Sequence, residues 1–447
     1  MIEKVCVIGL GYIGLPTAAI FAKAGYHVLG VDINNKIVST LTKGNIHIEE
    51  TGLRKVVTEA VQSGKLKADI KPAPSDVYII AVPTPVHDDN TANIDAVIQA
   101  VQSILPYLRK GNIVIVESTV PPGTIQDVVV PMLKKAGWVL ENNDIYLSYC
   151  PERVIPGNIL HELIHNTRIV GGYTREAASE SAKVYRKVVK GEVLETEAAA
   201  AEMAKLMENT YRDVNIALAN ELVKISKKLN INAHEVIRLA NKHPRVNIHQ
   251  PGPGVGGHCI AVDPYFIVEK AENEAKLIKL ARDINQSMPS FVASHVKLLI
   301  SHIENPKVAL LGLAYKGNSD DIRESPAIQV YRLLKNLNGI RINIYDPYIK
   351  QENINIDLVS LDKALSEAHL AVVLTDHKEF KQFDAQLFIK NMKTPVIFDT
   401  RDCISLKNNG IKVYKIGHLK EAEEMTENVI KSRKMKYKVN IKKVKKN

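Results

Sequence analysis

Cysteine is scarce and unpaired in this chain. Among 447 residues there are four, Cys6, Cys150, Cys259 and Cys403, and no two form a CxxC pair. Thiols so widely spaced suggest neither a zinc site nor a disulfide framework, and they fit a reducing compartment. No apolar run approaches the roughly 20 residues that a membrane-spanning helix needs. The first twenty residues read as folded structure and not as a secretory signal, so the expectation is a cytoplasmic protein with no membrane span. Acid is missing from one stretch: residues 431–447 hold nine Lys or Arg and no Asp or Glu, which accounts for nine of the ten net positive charges. The remainder is close to neutral, so no folded basic face for specific nucleic-acid binding is expected. A hydrophobic content of 45% with 24% charged residues excludes a largely disordered chain. The length asks for two or three domains.

What is present begins at the N-terminus. Lys4-Val5-Cys6-Val7-Ile8 is a short β-branched run suited to a buried parallel strand, and it opens directly into Gly9-Leu10-Gly11-Tyr12-Ile13-Gly14. An alanine-rich helix is predicted over Leu15–Ala24, with Pro16 in its first turn, then a strand over Tyr26–Val31 that ends at Asp32. A GxGxxG motif alone is weak, but between a strand and a helix, with an acid closing the next strand, it is the dinucleotide fingerprint. Its glycines let a pyrophosphate approach the helix N-terminus, and Asp32 suits an unphosphorylated ribose, which favours NAD over NADP. Further strands are predicted over Val77–Val82, Asn112–Val116 and Ile145–Ser148. Thr84 and Thr119 follow two of them, where open α/β sheets place ligand contacts, although such a threonine also serves as a helix cap. Glu152 follows the third; it reads either as a general base or as a solvated loop acid.

From Glu197 to Leu229 there is neither Gly nor Pro, so a helix of about nine turns is predicted, serving as connector and dimer contact. Lys205, Asn209 and Arg212 share one face of it, as a solvated stripe or as a functional one. The basic turn Lys242-His243-Pro244-Arg245 leads to Gly252-Pro253-Gly254-Val255-Gly256-Gly257-His258-Cys259. That loop fits a surface turn with an incidental thiol or a ligand-hugging backbone that presents Cys259. Lys307 to Gly317 then repeats Lys4 to Gly14, keeping the Lys, the Val, the first Gly, the Leu, the Tyr and the last Gly. Gly11 has become Ala314 and Ile13 has become Lys316, which disfavours a second pyrophosphate site and offers a cation. Strands are predicted over Arg341–Tyr345, Leu370–Leu374 and Val396–Phe398. The fold class is α/β: two Rossmann-like doubly wound domains joined by a long central helix. The boundaries are 1–195, 196–300 with the cysteine loop, 301–418, and a charged, disordered tail at 419–447.

Taken together, the fingerprint, the Lys205 to Asn209 helix, the loop ending in Cys259 and Ala314-Tyr315-Lys316 through Asp320-Asp321-Ile322-Arg323-Glu324-Ser325-Pro326 resemble the UDP-glucose/GDP-mannose dehydrogenase family. Asn209 to Asn215, His243 to Asn247 and Gly256 to Cys259 are most similar to the branch that oxidises UDP-N-acetyl-D-mannosamine. The UDP-glucose and GDP-mannose branches usually carry Leu-Pro-Lys between Cys and Asp, where this chain has Ile260-Ala261-Val262.

The resemblance implies a four-electron oxidation of a sugar C6 alcohol to the uronate with NAD. Cys259 would carry a thiohemiacetal and then a thioester. Lys205 would stabilise the alkoxide or shuttle its proton, and Asn209 would donate to an oxyanion. Asp263 would orient Lys205 or a water, with Glu152 and Thr119 placing the hydrolytic water. Gly9, Gly11, Tyr12, Ile13, Gly14, Asp32, Thr84, Thr119 and Arg323 would hold NAD. Arg153, Val154, Lys205, Asn209, Arg212, His243, Arg245, Gly256, Tyr315, Lys316 and Arg401 would hold the UDP-sugar, His243 and Arg245 from a partner subunit, so a homodimer or larger assembly is implied. UDP-N-acetylglucosamine and UDP-glucose are the alternative substrates. A non-catalytic NAD-binding protein would need Gly9, Gly11 and Asp32 but neither Cys259 nor Lys205. No metal site is expected.

Overall fold

In a computed structural model that describes residues 2–155, 157–406, 410–420 and 424, every apolar run singled out above becomes a strand in one of two sheets. The first half is built from β1 (Lys4–Ile8), α1 (Gly14–Lys23), β2 (His27–Val31), α2 (Asn35–Thr42), α3 (Leu53–Gln62), β3 (Leu66–Asp69), β4 (Val77–Ile80) and α4 (Asp95–Ile104), followed by β5 (Asn112–Val116), α5 (Val130–Lys135), β6 (Ile145–Tyr149), α6 (Ile159–His165), β7 (Arg168–Gly172), α7 (Arg175–Arg186) and β8 (Val193–Glu197). Its strand order is β3-β2-β1-β4-β5-β6-β7-β8, parallel except where β6 meets β7. β4 stops at Ile80, two residues short of the expected end, because the Ser118 hydroxyl takes the Val82 N–H at 3.0 Å.

Alternation along β1 shows how the sheet is covered on both faces. Val5 and Val7 join a core with Leu15, Phe21, Val57 and Tyr185, while Cys6 and Ile8 point the other way into Tyr78, Ile80, Val97 and Val114. Helix α1 is buried from Gly14 to Ala22, as its all-round apolar sequence requires. Each large side chain buried here contributes about 1.5–3 kcal/mol.

Helix α8 (Ala198–Leu229) carries the chain onward to α9 (Ala233–Ala240), α10 (Asp263–Lys270) and α11 (Lys276–Ile300). The second sheet follows: β9 (Lys307–Leu311), α12 (Pro326–Lys335), β10 (Arg341–Tyr345), α13 (Leu361–Leu365), β11 (Leu370–Val373), α14 (Ala385–Asn391), β12 (Val396–Asp399) and β13 (Lys412–Lys415). Its order, β10-β9-β11-β12-β13, is parallel throughout, and Val308 and Leu310 again face a different core from Ala309 and Leu311. Two compact units result. The first gathers residues up to Asn209 with Tyr265–Ala275, and the second takes Thr210–Pro264 with the described residues from Lys276 onward. The basic run expected at the end of the chain lies outside the described residues. Among those described, no helix is long and apolar enough to cross a membrane.

Candidate active site

In the first unit the fingerprint glycines are distinguished by the space around them. A Cβ on Gly14 would stand 1.8 Å from the Gly9 carbonyl oxygen, so this glycine lets α1 begin directly against the turn. A Cβ on Gly11 meets nothing within 4 Å, which leaves that backbone open to a pyrophosphate. Tyr12 and Ile13 stand beside it, exposed and half-buried. Asp32 closes β2 with one carboxylate oxygen accepting the Leu10 N–H at 3.0 Å and the other the Asn34 N–H at 2.8 Å. NAD therefore fits the residues present.

The loops after β4 and β5 are tied together, since the Thr84 hydroxyl donates to the Thr119 carbonyl at 2.6 Å. Glu202, on α8, accepts from the N–H groups of Gly123 and Ile125 at 2.6 and 2.9 Å, fixing the same loop one helical turn before Lys205. Burial pushes the Glu202 carboxyl up to about 7. Glu152 is not a solvated loop acid: it is 7% exposed and lies 3.0 Å from the Arg168 guanidinium. Arg153 donates to the Thr167 carbonyl at 3.0 Å and pairs with Glu208 at 2.7 Å. The Val154 side chain packs onto the small core of Ile20, Ile159 and Leu163. Lys205 is half-buried and Asn209 buried.

The second unit shapes the glycine loop. Its start is held by a buried polar chain. The Gly252 N–H donates to Asn220 at 2.9 Å, Asn220 donates to Asn285 at 2.8 Å, and Asn285 donates to Asp213, which pairs with Arg282 at 2.6 Å. Asn215 brackets the approach, donating to the Asn247 carbonyl and accepting from the His249 N–H. Further on, the Gly257 N–H donates to the Arg323 carbonyl at 2.9 Å. Gly257 has φ +83°, and a Cβ there would sit 2.8 Å from the Tyr315 ring. A Cβ on Gly256 would be 2.6 Å from the Glu324 carbonyl and 2.8 Å from both Pro326 and Tyr315. Cys259 emerges half-buried from this close-packed backbone, and its carbonyl accepts from the N–H groups of Val262 and Asp263 to start α10.

Around the loop, Lys316 lies over the Tyr315 ring and Arg401 pairs with Asp376 at 2.8 Å. Arg323 grips Asp321 with two nitrogens, at 2.9 and 2.6 Å, and is committed to its own loop. Arg212, His243 and Arg245 are exposed. The expected residues thus form two sets, one per unit. The first holds the fingerprint, Thr84, Thr119, Glu152, Arg153, Val154, Lys205 and Asn209; the second holds Arg212, His243, Arg245, Gly256, Cys259, Asp263, Tyr315, Lys316, Arg323 and Arg401. Missed from the sequence were Arg168, Glu202, Asn220 and Asn285. The only signal for Asn220 was a polar residue in an otherwise apolar stretch of α8. Among the described residues no group of three or more His, Cys, Asp or Glu could hold a metal ion.

Three family models match in chain order: the NAD binding domain of the UDP-glucose/GDP-mannose dehydrogenase family over residues 3–189, its central domain over 199–287 and its UDP binding domain over 309–406. The chain is 46% identical over 430 residues to the UDP-N-acetyl-D-mannosamine dehydrogenase of Methanocaldococcus jannaschii, covering 94% of this chain and 98% of that one. It is 49% identical over 398 residues to the enzyme of the same name from Campylobacter jejuni, covering 85% and 96%. A solved structure of the UDP-N-acetyl-mannosamine dehydrogenase of S. aureus superposes with a TM-score of 0.87 at 50% identity, over 94% of this chain and all of that one. With its NAD fingerprint formed and all three domain models matched, this chain belongs to the UDP-glucose/GDP-mannose dehydrogenase family, NAD-dependent oxidoreductases of nucleotide sugars.

Proposed function

We propose that the protein oxidises the C6 primary alcohol of UDP-N-acetyl-D-mannosamine to the carboxylate, using two NAD and one water, with Cys259 as nucleophile. The observation that carries the chemistry is the glycine loop. Its backbone is packed against Tyr315, Glu324 and Pro326 so closely that Gly256 and Gly257 have no room for a side chain, and the half-buried thiol follows two residues later. Support for the substrate comes from relatives of that name at 46 and 49% identity.

Bound NAD supplies the hydride acceptor for both oxidations. Lys205 stabilises the alkoxide or moves its proton as the alcohol becomes an aldehyde. The Cys259 thiolate adds to that aldehyde, and the resulting thiohemiacetal loses a second hydride to leave a thioester. Asn209 donates to the oxyanion and Asp263 orients Lys205 or a water. Water placed by Glu152 and Thr119 then releases the uronate and regenerates the thiolate. Arg153, Arg212, Arg401 and Lys316 grip the diphosphate, Tyr315 and the Val154 and Gly256 backbones line the sugar, and His243 with Arg245 reads the acetamido group or its neighbours. Arg323 would have to leave Asp321 to reach a cofactor.

A homo-oligomer completes the reading. Met207, Tyr211, Leu218, Ile225 and Leu229 are 44–61% exposed on α8, spaced by four and seven residues as a helix-pairing stripe requires. The test is stoichiometric. Two NADH per sugar are expected, with Cys259→Ala inactive in the full oxidation; a ratio of one, or full activity in that variant, overturns the covalent mechanism. Equal concentrations of UDP-N-acetylmannosamine, UDP-N-acetylglucosamine and UDP-glucose, compared by kcat/KM, test the substrate.

A further inference from the structure

Behind Glu152 the first unit buries a set of charges that the reaction above leaves unused. Arg168 opens β7, with its guanidinium 5.5 Å over the Tyr185 ring and its side chain only 6% exposed. Two carboxyls and a thiol face it: Glu152, Glu117 and Cys150. Glu117 accepts from the Tyr185 hydroxyl at 2.6 Å and from Thr17 at 3.4 Å. Burial, with Glu152 adding its charge and Arg168 opposing, pushes the Glu117 carboxyl up to about 7, and burial pushes the Cys150 thiol up to about 12. Burial thus favours the uncharged forms of both Glu117 and Cys150 beside Arg168.

The two oxygens of Glu152 are not equivalent. Oε1 accepts the Arg153 N–H at 2.5 Å. Oε2 lies 3.0 Å from Arg168 Nη1, but the contact is an ion pair without hydrogen-bonding geometry, and this buried oxygen has no hydrogen-bond partner. A guanidinium bonded squarely to Oε2 would occupy its lone pair, whereas one beside it leaves that lone pair for a ligand.

We propose that Arg168 is a positioning residue for hydrolysis of the Cys259 acyl intermediate: it fixes the Glu152 carboxylate in place, with Oε2 ready to accept the proton of the attacking water. The proposal rests on the roles of Cys259 and Glu152 given above. In the step, the water oxygen bonds to the thioester carbon and its proton passes to Oε2. The carbon–sulfur bond breaks with its electron pair on Cys259 Sγ, and the product acid and Glu152 return their protons to solvent.

Stopped-flow NADH formation and intact-protein mass spectrometry separate oxidation from hydrolysis. Arg168→Gln is expected to give a normal burst of two NADH per site, at least tenfold slower turnover and an accumulating adduct on Cys259. Arg168→Lys should recover part of the lost turnover and shorten the life of the adduct. Wild-type turnover in Arg168→Gln, or loss of its burst, overturns the proposal. Glu117→Gln, close in shape, should stay within about twofold of wild type; a stalled hydrolysis there transfers the role to Glu117 and overturns it too. Glu152→Gln distinguishes the parent reading. If that variant turns over normally, the assignment of Glu152 fails; if it stalls while Arg168→Gln does not, only the role of Arg168 fails.

Discussion

Leu10 and Leu313 occupy the same place in the two sheets. Each N–H donates to an aspartate that ends the neighbouring strand, Asp32 at 3.0 Å and Asp346 at 2.7 Å, and the glycine before each donates to that strand's last carbonyl at 2.8 Å. The turns then diverge. After Gly11 the chain enters α1 at Gly14; after Ala314 it wanders to Pro326 before α12 begins. Gly11 is exposed, whereas Ala314 is 1% exposed with its carbonyl taken by Thr375 at 2.7 Å. Asp32 is half-exposed. Asp346 is buried and saturated by the N–H groups of Leu313, Ala314, Tyr348 and Ile349 and by His377 at 3.2 Å. One turn serves as scaffold in both halves, and a dinucleotide site is expected in the first, where that scaffold leaves backbone uncovered at a helix N-terminus.

The largest effect expected from this contrast is at the two aspartates. Asp346→Asn replaces an acceptor with a group that must point an NH2 at N–H donors, so a loss of about 3 kcal/mol is expected, read by urea denaturation. Asp32→Asn should change stability far less and instead weaken ribose binding. Burial raises the Asp346 carboxyl, but the bonds from His377, Leu313 and Tyr348 outweigh it and hold the group below its usual range. Its contribution is therefore complete above about pH 4, the unfolded value, and is lost as pH falls through the lower folded one. Equal losses in the two variants would erase the contrast.

A smaller effect is expected at Gly256, where the second half puts its helix-free loop to use. The 315–326 segment supplies the wall on which the glycine loop lies, and the three nearest atoms to a Cβ are backbone, ring or β-carbon atoms that cannot swing away. Gly256→Ala should cost about 2 kcal/mol of stability and slow oxidation through displacement of Cys259. A stable variant that loses only sugar affinity would return Gly256 to ligand contact alone.

Much of this was legible in the residues because it is local. The β1 run, the fingerprint and Asp32 follow one another within one strand–helix–strand unit, and the Lys307 repeat betrayed the second sheet. β3, β7, β8 and β13 were not legible: edge strands such as Val193–Glu197 are mostly exposed and carry no apolar run, and the interior β7 has only Ile169-Val170 between Arg168 and two glycines. Arg168 could not be found either. It reaches Glu152 only because β7 turns back antiparallel beside β6, a pairing that no spacing announces. For the same reason Glu152, read alone, passed for a solvated acid. Gly256 was expected among the residues that hold the UDP-sugar; what the sequence did not announce is that a Cβ there would meet Glu324, Pro326 and Tyr315, roughly sixty to seventy residues further along.

The finest test exchanges the residues that distinguish the two turns. Gly11 is not in the left-handed region, and a methyl added to it would meet nothing within 4 Å, so Gly11→Ala should leave stability within about 0.5 kcal/mol of wild type. The methyl would stand where a pyrophosphate approaches, so NAD affinity should fall about tenfold, or ~1.4 kcal/mol, in a titration of intrinsic fluorescence. Ala314→Gly should not produce the converse gain. It removes a buried methyl and loosens the backbone for roughly 1 kcal/mol of stability, but creates no second site, because Thr375 still closes the carbonyl and α12 still starts at Pro326. If calorimetry of Ala314→Gly found a second equivalent of NAD, one methyl group would be the whole difference between the halves. If it finds none, the difference lies in where each helix begins.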